Sequence, residues 1–338
     1  MTTKRSILFS VFAACLIAVS GSGTAGADDP IDVVASFSIL GDMVRQVGGD
    51  RVRVTTLVGP DSDAHVYRPT PADARAVAGA RLLVVNGLGF EGWIDRLTEA
   101  SGYRGPVVTA TAGVEPRRVA DPDRGEVDPH AWQSLANARI YVRNIADGLA
   151  AIDLAGAEMY YGNAARYVKE IDAVEAHVRK AIDSLPVERR KVVTSHDAFG
   201  YLSAAYGIEF HAPVGFSTEA EASAGDVARL IRQINKEKIP AVFVENISDR
   251  RLLDQIVRET GAQIGGTLYS DALSKADGPA GTHLDMMLHN ILTLVAALCD
   301  SSGSVTRGVW LVRGADASRR SPPCAADCHE RCVARRKP

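Results

Sequence analysis

Cysteine is missing from the whole body of this 338-residue chain. One cysteine is residue 15 and the other four lie at or beyond residue 299, so residues 28–298 contain none. A body without cysteine has no disulfide framework, and its stability must come from a hydrophobic core. The composition, 46% hydrophobic and 23% charged, is that of a soluble globular protein and excludes a disordered, collagen-like or polytopic membrane chain.

A long apolar run is also missing. The run Ile7–Val19 falls well short of the roughly 20 residues that span a bilayer. It follows Lys4 and Arg5 and precedes a small-residue segment that ends at Ala27, which is the pattern of a secretory signal. We therefore expect residues 1–27 to be a signal peptide cleaved near Ala27 and the mature protein to be periplasmic. Lipid anchoring through Cys15 remains an open alternative.

Charge is unevenly distributed along the chain. The net charge is −3 overall, +2 for residues 1–27 and +5 for residues 301–338, which leaves −10 for residues 28–300. An acidic body is a poor partner for nucleic acid and a suitable one for cations, so we expect no nucleic-acid partner. The segment 301–338 has no sustained hydrophobic period and is interpreted as a disordered basic tail. Its residues Cys324, Cys328, His329 and Cys332 are either a soft metal site or part of an extension without function.

Strand and helix patterns alternate on both sides of one long helical stretch. Strands are predicted at 31–35, 52–58, 82–86 and 107–110, then at 191–194, 208–214, 241–245 and 263–268. Between the two groups, apolar residues keep helical spacing from about Ala157 to Ser184, a helix of roughly 40 Å. We therefore predict an α/β protein in which two βα lobes with mostly parallel sheets are bridged by one long α-helix. The predicted boundaries are 28–156 for the N-terminal lobe, 157–185 for the interlobe helix and 186–300 for the C-terminal lobe.

Local helix signals are clear at two places. Thr70, Pro71 and Asp73 form a helix start, with Thr70 as the N-cap and Pro71 in the first position. Ser223 is predicted to cap a helix whose apolar face runs through residues 227–234. Asp128 and Ser195 are also predicted to be helix caps.

Three histidines and one aspartate share a position relative to the predicted strands. His65, His196 and Asp271 each follow the carboxyl end of a predicted strand. His130 precedes a predicted helix, a position compatible with the same edge of the sheets. Ligands of open α/β sheets bind in the crevice beyond these strand ends. Two of the four residues come from each lobe, so we expect them to meet in the interlobe cleft. Three imidazoles and a carboxylate suit a borderline divalent cation such as zinc.

The spacing alone makes this site only one candidate. The four residues are separated by about 65 to 75 positions, and no short motif such as His-Glu-x-x-His supports them. A single loop histidine is more often a surface or capping residue than a ligand. His177 and His289 are predicted to be ordinary helix residues, while His211 and His283 are left undecided, with a structural role favoured.

Four segments resemble those of a known family. They are His65-Val66-Tyr67-Arg68-Pro69-Thr70-Pro71, Asp128-Pro129-His130-Ala131-Trp132, His196-Asp197-Ala198-Phe199-Gly200-Tyr201 and Tyr269-Ser270-Asp271-Ala272-Leu273. Over about residues 30–299 the chain is similar to the zinc/manganese solute-binding proteins of ABC transporters, the ZnuA/TroA-like proteins, and most of all to the AztC-type periplasmic zinc binders. The resemblance implies a solute-binding protein with a helical backbone and names His65, His130, His196 and Asp271 as the metal ligands.

Two features set this chain apart from relatives. Many zinc members carry a His-rich loop between the first two ligands, whereas residues 113–127 here contain no histidine. A metal-collecting role for that loop is therefore not supported. Manganese members usually have Glu where this chain has His196, and a third imidazole shifts the expected preference toward zinc.

The resemblance implies capture of Zn²⁺ in the periplasm and delivery to an ABC permease in the inner membrane. A periplasmic metallochaperone is a further candidate partner, and a monomer is expected. Asp271 is predicted to be the weaker, movable ligand. Two alternatives remain: a manganese-binding homologue, or a zinc-dependent hydrolase with three His ligands and Asp271 or Glu245 as its base. A surface adhesin is a third class that the sequence does not distinguish.

Overall fold

The computed structural model describes residues 29–118 and 126–299. The predicted signal peptide, with Cys15, and the predicted tail 301–338, with its cysteines, lie outside the described residues.

The N-terminal lobe is a four-stranded parallel sheet covered by helices. The strand order is β2-β1-β3-β4. Strand β2 pairs with one side of β1, β3 pairs with the other side, and β4 pairs with β3. The central strands β1 and β3 are buried under the helices, whereas the edge strands β2 and β4 are more exposed. The elements are β1 (Ile31–Phe37), α1 (Ser38–Gly48), β2 (Val52–Val58), α2 (Pro71–Gly79), β3 (Leu82–Val85), α3 (Ile94–Ser101), β4 (Val107–Thr109) and α4 (Leu135–Ile152).

The C-terminal lobe repeats this topology. Its parallel strands have the order β6-β5-β7-β8, with a register shift in β7 between Val242 and Phe243. The elements are β5 (Lys191–Val193), α6 (Gly200–Tyr206), β6 (Glu209–His211), α7 (Ala224–Glu237), β7 (Ala241–Glu245), α8 (Arg251–Thr260), β8 (Gln263–Leu268) and α9 (His283–Cys299).

One long helix joins the two lobes. The helix α5 (Ala157–Asp183) has 27 residues, about 40 Å at 1.5 Å per residue. It packs against α1 and α4 of the N-terminal lobe and against α9, which follows the last strand of the C-terminal lobe. The predicted fold class, two parallel α/β lobes bridged by a helix, is confirmed. The lobe boundaries at 156/157 and 185/186 remain predictions.

The apolar core is divided unequally. The larger cluster combines the N-terminal sheet with α5, α9 and the inner parts of the second lobe, including Phe199, Leu268 and Leu273. A smaller cluster lies between β5, β7, α7 and α8, and includes Val193, Val242, Leu230, Ile234 and Ile256. Part of the C-terminal lobe therefore shares a core with the N-terminal lobe, while its outer layer has a core of its own.

Several predicted strand bounds and helix caps are confirmed to the residue. The strands 52–58, 241–245 and 263–268 have the predicted bounds. Thr70 caps α2 in a capping box, in which Thr70 Oγ1 accepts the N–H of Asp73 and the Asp73 carboxylate accepts the N–H of Thr70. Ser223 caps α7 by accepting the N–H of Asp226.

Three local predictions are wrong. The strand predicted at 208–214 comprises only Glu209–His211, because Pro213 has no N–H for the ladder. Ser195 does not cap a helix, since α6 begins only at Gly200. Asp128 is not a helix cap either, because its carboxylate accepts the main-chain N–H of His130.

Candidate metal centre

Four side chains from four separate segments converge in the interlobe cleft. His65 lies in the loop after β2, His196 after β5 and Asp271 after β8, while His130 directly precedes a short 3₁₀ turn that leads into α4. One donor atom from each of the four residues lies within 4.8 Å of the others. All four are buried, with exposed fractions between 0% and 7%. The structure thus brings together the four residues that the sequence analysis singled out.

The three imidazoles present the same nitrogen to the carboxylate. Nε2 of His65 and of His196 lie 3.2 Å and 3.1 Å from Oδ2 of Asp271. Nε2 of His130 lies 3.5 Å from Oδ1 of Asp271 and 3.4 Å from Nε2 of His65. A tetrahedral ion with bonds of about 2.0–2.1 Å separates its ligand atoms by roughly 3.3–3.4 Å. The two separations from Oδ2 of Asp271 and the separation between the Nε2 atoms of His65 and His130 are close to the edges of a tetrahedral site.

Several of the facing atoms lack hydrogen bonds. Both carboxylate oxygens of Asp271 and Nε2 of His196 are buried and have no hydrogen-bond partner among the described residues. Buried polar atoms are normally satisfied, and leaving one unsatisfied costs roughly 1–3 kcal/mol. A cation bound among these atoms would satisfy all of them at once.

Carboxylates lie behind two of the rings. Oδ1 of Asp128 lies 2.9 Å from Nδ1 of His130 and also accepts the main-chain N–H of that residue. Oε2 of Glu245 lies 2.7 Å from Nδ1 of His196. Histidines that bind metals commonly donate their other ring N–H to such a carboxylate. Asp128 was predicted to be a cap, and the Asp-x-His spacing is the sequence signal that indicates this contact instead.

The site is enclosed by aromatic rings. The ring of Phe90 meets the rings of His65 and His130 edge to face, with centroids 4.9 Å and 6.0 Å away. Trp132 packs against His130 at 5.2 Å. His65 is the least buried of the four residues and also lines a cavity of about 330 Å³ beside Phe216 and Glu219. A second cavity, of about 420 Å³, is lined by His196.

The segment that carries Asp271 is attached to the N-terminal lobe. The carbonyl of Ser270 accepts the side-chain N–H groups of Trp132 and Gln133 at 2.8 Å and 2.7 Å. The N–H of Leu273 donates to Oγ of Ser38 at 2.9 Å. Asp271 therefore sits in the cleft on a main chain that is tied to both lobes.

The pKa values of two site residues are strongly shifted. Burial by itself would raise the pKa of Asp271, but His196 and His130 outweigh burial and hold this pKa well below its usual range. Burial by itself would lower the pKa of His196, but Glu245 and Asp271 outweigh it and raise this pKa well above its usual range. Without a metal, the site therefore retains an ionised carboxylate and a protonated imidazole, and a metal ion must displace that proton.

The other described histidines lie outside this cluster. His283 is buried, its Nε2 lies 2.9 Å from the carbonyl of Trp132, and burial lowers its pKa to about 4. The ring of His177 contacts the carbonyl of Ala173 in its own helix, and that of His289 contacts the carbonyl of Thr267. These three histidines are structural or surface residues, as predicted.

His211 belongs to a second, more exposed group with Glu209 and Glu237. Nζ of Lys191 lies 2.6 Å from Glu237 and 3.3 Å from Glu209. Lys191 therefore forms ion pairs with both carboxylates of this group.

None of the helices in the two described ranges is both long and apolar enough to cross a membrane.

Comparison with known proteins gives a consistent result. The family model described as "Zinc-uptake complex component A periplasmic" matches residues 33–297. The chain is 34% identical over 278 residues to the manganese-binding lipoprotein MntA of Halalkalibacterium halodurans, covering 82% of this chain and 91% of that protein. It is 35% identical over 263 residues to the iron-binding protein YfeA of Yersinia pestis, covering 78% and 84%.

A solved structure agrees with these matches. The periplasmic zinc-binding protein TroA of Treponema pallidum superposes with a TM-score of 0.76 at 32% identity. The superposition covers 80% of this chain and 99% of TroA. The family model, which spans residues 33–297, includes both lobes, the long helix and the four converging residues.

Proposed function

The chain belongs to the family of periplasmic component A proteins of zinc-uptake complexes, and on that premise we propose that it captures Zn²⁺ and delivers it to an ABC permease in the inner membrane. Members of this family are the periplasmic metal-binding components of ABC metal importers. We assign metal binding to His65, His130, His196 and Asp271. The observation that carries the proposal is the buried set of three Nε2 atoms around one carboxylate, at the separations of a tetrahedral ion.

The choice of metal follows from the donor atoms. Three imidazoles and one carboxylate favour zinc over manganese, which prefers sites richer in oxygen. Manganese is the alternative metal, because the relative MntA is named for manganese. YfeA is named for iron, and both relatives are about one-third identical to this chain. The relatives' names therefore do not decide the metal, and the proposal of zinc rests on the side chains alone.

Metal analysis tests this proposal directly. The protein is purified from periplasm, its bound metals are measured by elemental mass spectrometry, and Zn²⁺ and Mn²⁺ then compete for the metal-free form against a chelator. We expect one equivalent of zinc per chain and displacement of manganese by zinc. Retained manganese with negligible zinc would overturn the selectivity. The same competition is run on His196→Ala, which should lose zinc affinity. His177→Ala, at an exposed helix position, is its control and should bind zinc as the parent does.

We infer that the protein is not an enzyme. A catalytic zinc keeps one position open for water and a general base beside it. Asp271 lies where the fourth ligand would bind, within 3.5 Å of all three Nε2 atoms. Glu245, the other candidate base, faces Nδ1 of His196 and two main-chain N–H groups, away from Nε2. The zinc-loaded protein should hydrolyse an activated ester no faster than the His196→Ala variant does.

The remaining functional predictions concern export and assembly. We propose that the chain is cleaved near Ala27, acts as a monomer and exchanges metal with a periplasmic metallochaperone as well as the permease. The acidic body supports exchange of cations. The mass of the mature protein and its sedimentation with and without zinc test cleavage and oligomeric state.

A further inference from the structure

Glu245 is buried at the end of β7, directly behind His196. Its Oε1 accepts the main-chain N–H groups of Ser195 and His196 at 2.7 Å and 2.9 Å. Its Oε2 lies 2.7 Å from Nδ1 of His196, at ion-pair distance, although the two groups are not aligned as a hydrogen bond. One carboxylate therefore holds both the turn that carries His196 and the ring itself.

The chemistry of these contacts fixes the proton on the ring. A carboxylate oxygen 2.7 Å from Nδ1 repels a lone pair on that nitrogen and attracts an N–H, which favours the tautomer with the hydrogen on Nδ1. With the proton on Nδ1, the neutral imidazole has its lone pair on Nε2. That nitrogen faces Oδ2 of Asp271 at 3.1 Å, where the metal is proposed to bind.

We propose that Glu245 is a positioning residue for metal binding, which holds His196 in the tautomer whose Nε2 lone pair is free for the ion. The inference rests on the proposed function, because it assumes that Nε2 of His196 is a metal ligand. Glu245 acts through His196, since its two oxygens face the ring's Nδ1 and the main-chain N–H groups of the turn.

Glutamine at this position reverses the tautomer with little change in shape. The two main-chain N–H groups require an acceptor, so the amide oxygen must face them and the NH₂ group must face Nδ1. An NH₂ group donates to Nδ1 only if Nδ1 is unprotonated, which places the proton on Nε2. The ligand nitrogen is then blocked unless the hydrogen bond is broken.

The matched control is Glu91, a second buried carboxylate. It accepts the main-chain N–H of Asn86 at 2.6 Å, the N–H of Gly87 at 3.2 Å and the hydroxyl of Ser36 at 2.6 Å. None of its contacts is with a proposed ligand ring. Glu91→Gln therefore makes the same buried carboxylate-to-amide change without affecting an imidazole, although its NH₂ group or its oxygen must give up one of the two main-chain N–H groups.

The experiment compares zinc affinities by chelator competition in the parent, Glu245→Gln, Glu91→Gln and His196→Ala proteins. Loss of a residue that contacts a metal-binding histidine typically weakens metal binding about 10–100-fold. We expect a loss in this range for Glu245→Gln and the affinity of the parent for Glu91→Gln. Equal affinities for Glu245→Gln and the parent, or equal losses in both glutamine variants, would overturn the positioning role. A parent that does not bind zinc would instead overturn the proposed function.

A second measurement does not depend on any variant folding. Long-range ¹H–¹⁵N correlation spectra of histidine rings identify which nitrogen is protonated and which binds the metal. In the zinc-loaded parent, we expect His196 to carry its proton on Nδ1. A spectrum showing Nε2–H, with the metal on Nδ1, would refute the inference while leaving zinc capture intact.

Discussion

The indole N–H of Trp132 donates to the main-chain carbonyl of Ser270 across 2.8 Å, although 138 positions separate the two residues. Together with the bonds from Gln133 and to Ser38, this contact attaches the Asp271 segment to the N-terminal lobe. His196 follows β5 and is held by Glu245 of β7, and both strands contribute to both apolar clusters. The position of Asp271 in the cleft therefore depends on contacts with the N-terminal lobe.

Trp132→Phe tests this attachment. The variant keeps an aromatic ring beside His130 but loses one hydrogen bond to Ser270, worth about 1 kcal/mol. We expect zinc to dissociate about fivefold faster in stopped-flow chelator experiments, as that energy implies. Tyr103→Phe removes a comparable bond to the carbonyl of Pro106 outside the site and should leave the rate unchanged. Identical rates in the parent and Trp132→Phe would contradict the attachment.

Loss of His196 should weaken zinc binding more than loss of Asp271. Asp271→Ala leaves three imidazoles that can still hold zinc, whereas His196→Ala also leaves the buried Glu245 without its ring partner. An unpaired buried charge is strongly destabilising, so His196→Ala should also lower the free energy of unfolding. Chelator titration and urea denaturation of both variants measure these effects. A larger loss of affinity in Asp271→Ala would reverse the assignment of the weaker ligand.

Zinc affinity should rise with pH. The pKa of His196 is raised, so in the metal-free protein this ring stays protonated above the ordinary histidine range near 6.5 and must lose its proton when zinc binds. Each proton released changes the apparent affinity by about tenfold per pH unit below that pKa. Calorimetry in buffers of different ionisation enthalpy counts the protons. Binding that releases no proton near neutral pH would contradict the prediction.

The same shift has a consequence for stability. A raised pKa stabilises the folded metal-free protein fully below about pH 6.5, and this contribution is lost as the pH rises through the raised value. Zinc stabilises the folded state by mass action and binds better at high pH. The increase in Tm on adding zinc should therefore be larger at pH 8 than at pH 6, as differential scanning fluorimetry can measure.

Thr70→Ala should destabilise α2 without changing the metal site. The substitution removes the hydroxyl of the capping box, a loss of about 1 kcal/mol. We expect a lower urea midpoint and unchanged zinc affinity. Thr70→Ser retains the hydroxyl and should behave as the parent, whereas a matching loss in the serine variant would point to a role for the methyl group.

Features that depend on neighbouring residues were predicted best from the sequence. The caps at Thr70 and Ser223 and the strand 52–58 are set by neighbouring residues and were predicted residue by residue. The strand at 208–214 was predicted too long, since its apolar pattern continues while Pro213 interrupts the ladder. Asp128 was misassigned because an aspartate before a helix is a common cap, whereas in the fold its carboxylate contacts the His130 ring.

The sequence by itself determined the alternation of strands and helices, the long connecting helix and the four residues that could bind a metal, because periodicity, capping and residue type are local properties. Only the tertiary structure decided that three Nε2 atoms meet one carboxylate, that Glu245 faces His196 and that the Asp271 segment is tied to the N-terminal lobe. These contacts join residues from 49 to 206 positions apart, and their geometry is set by how the two lobes pack.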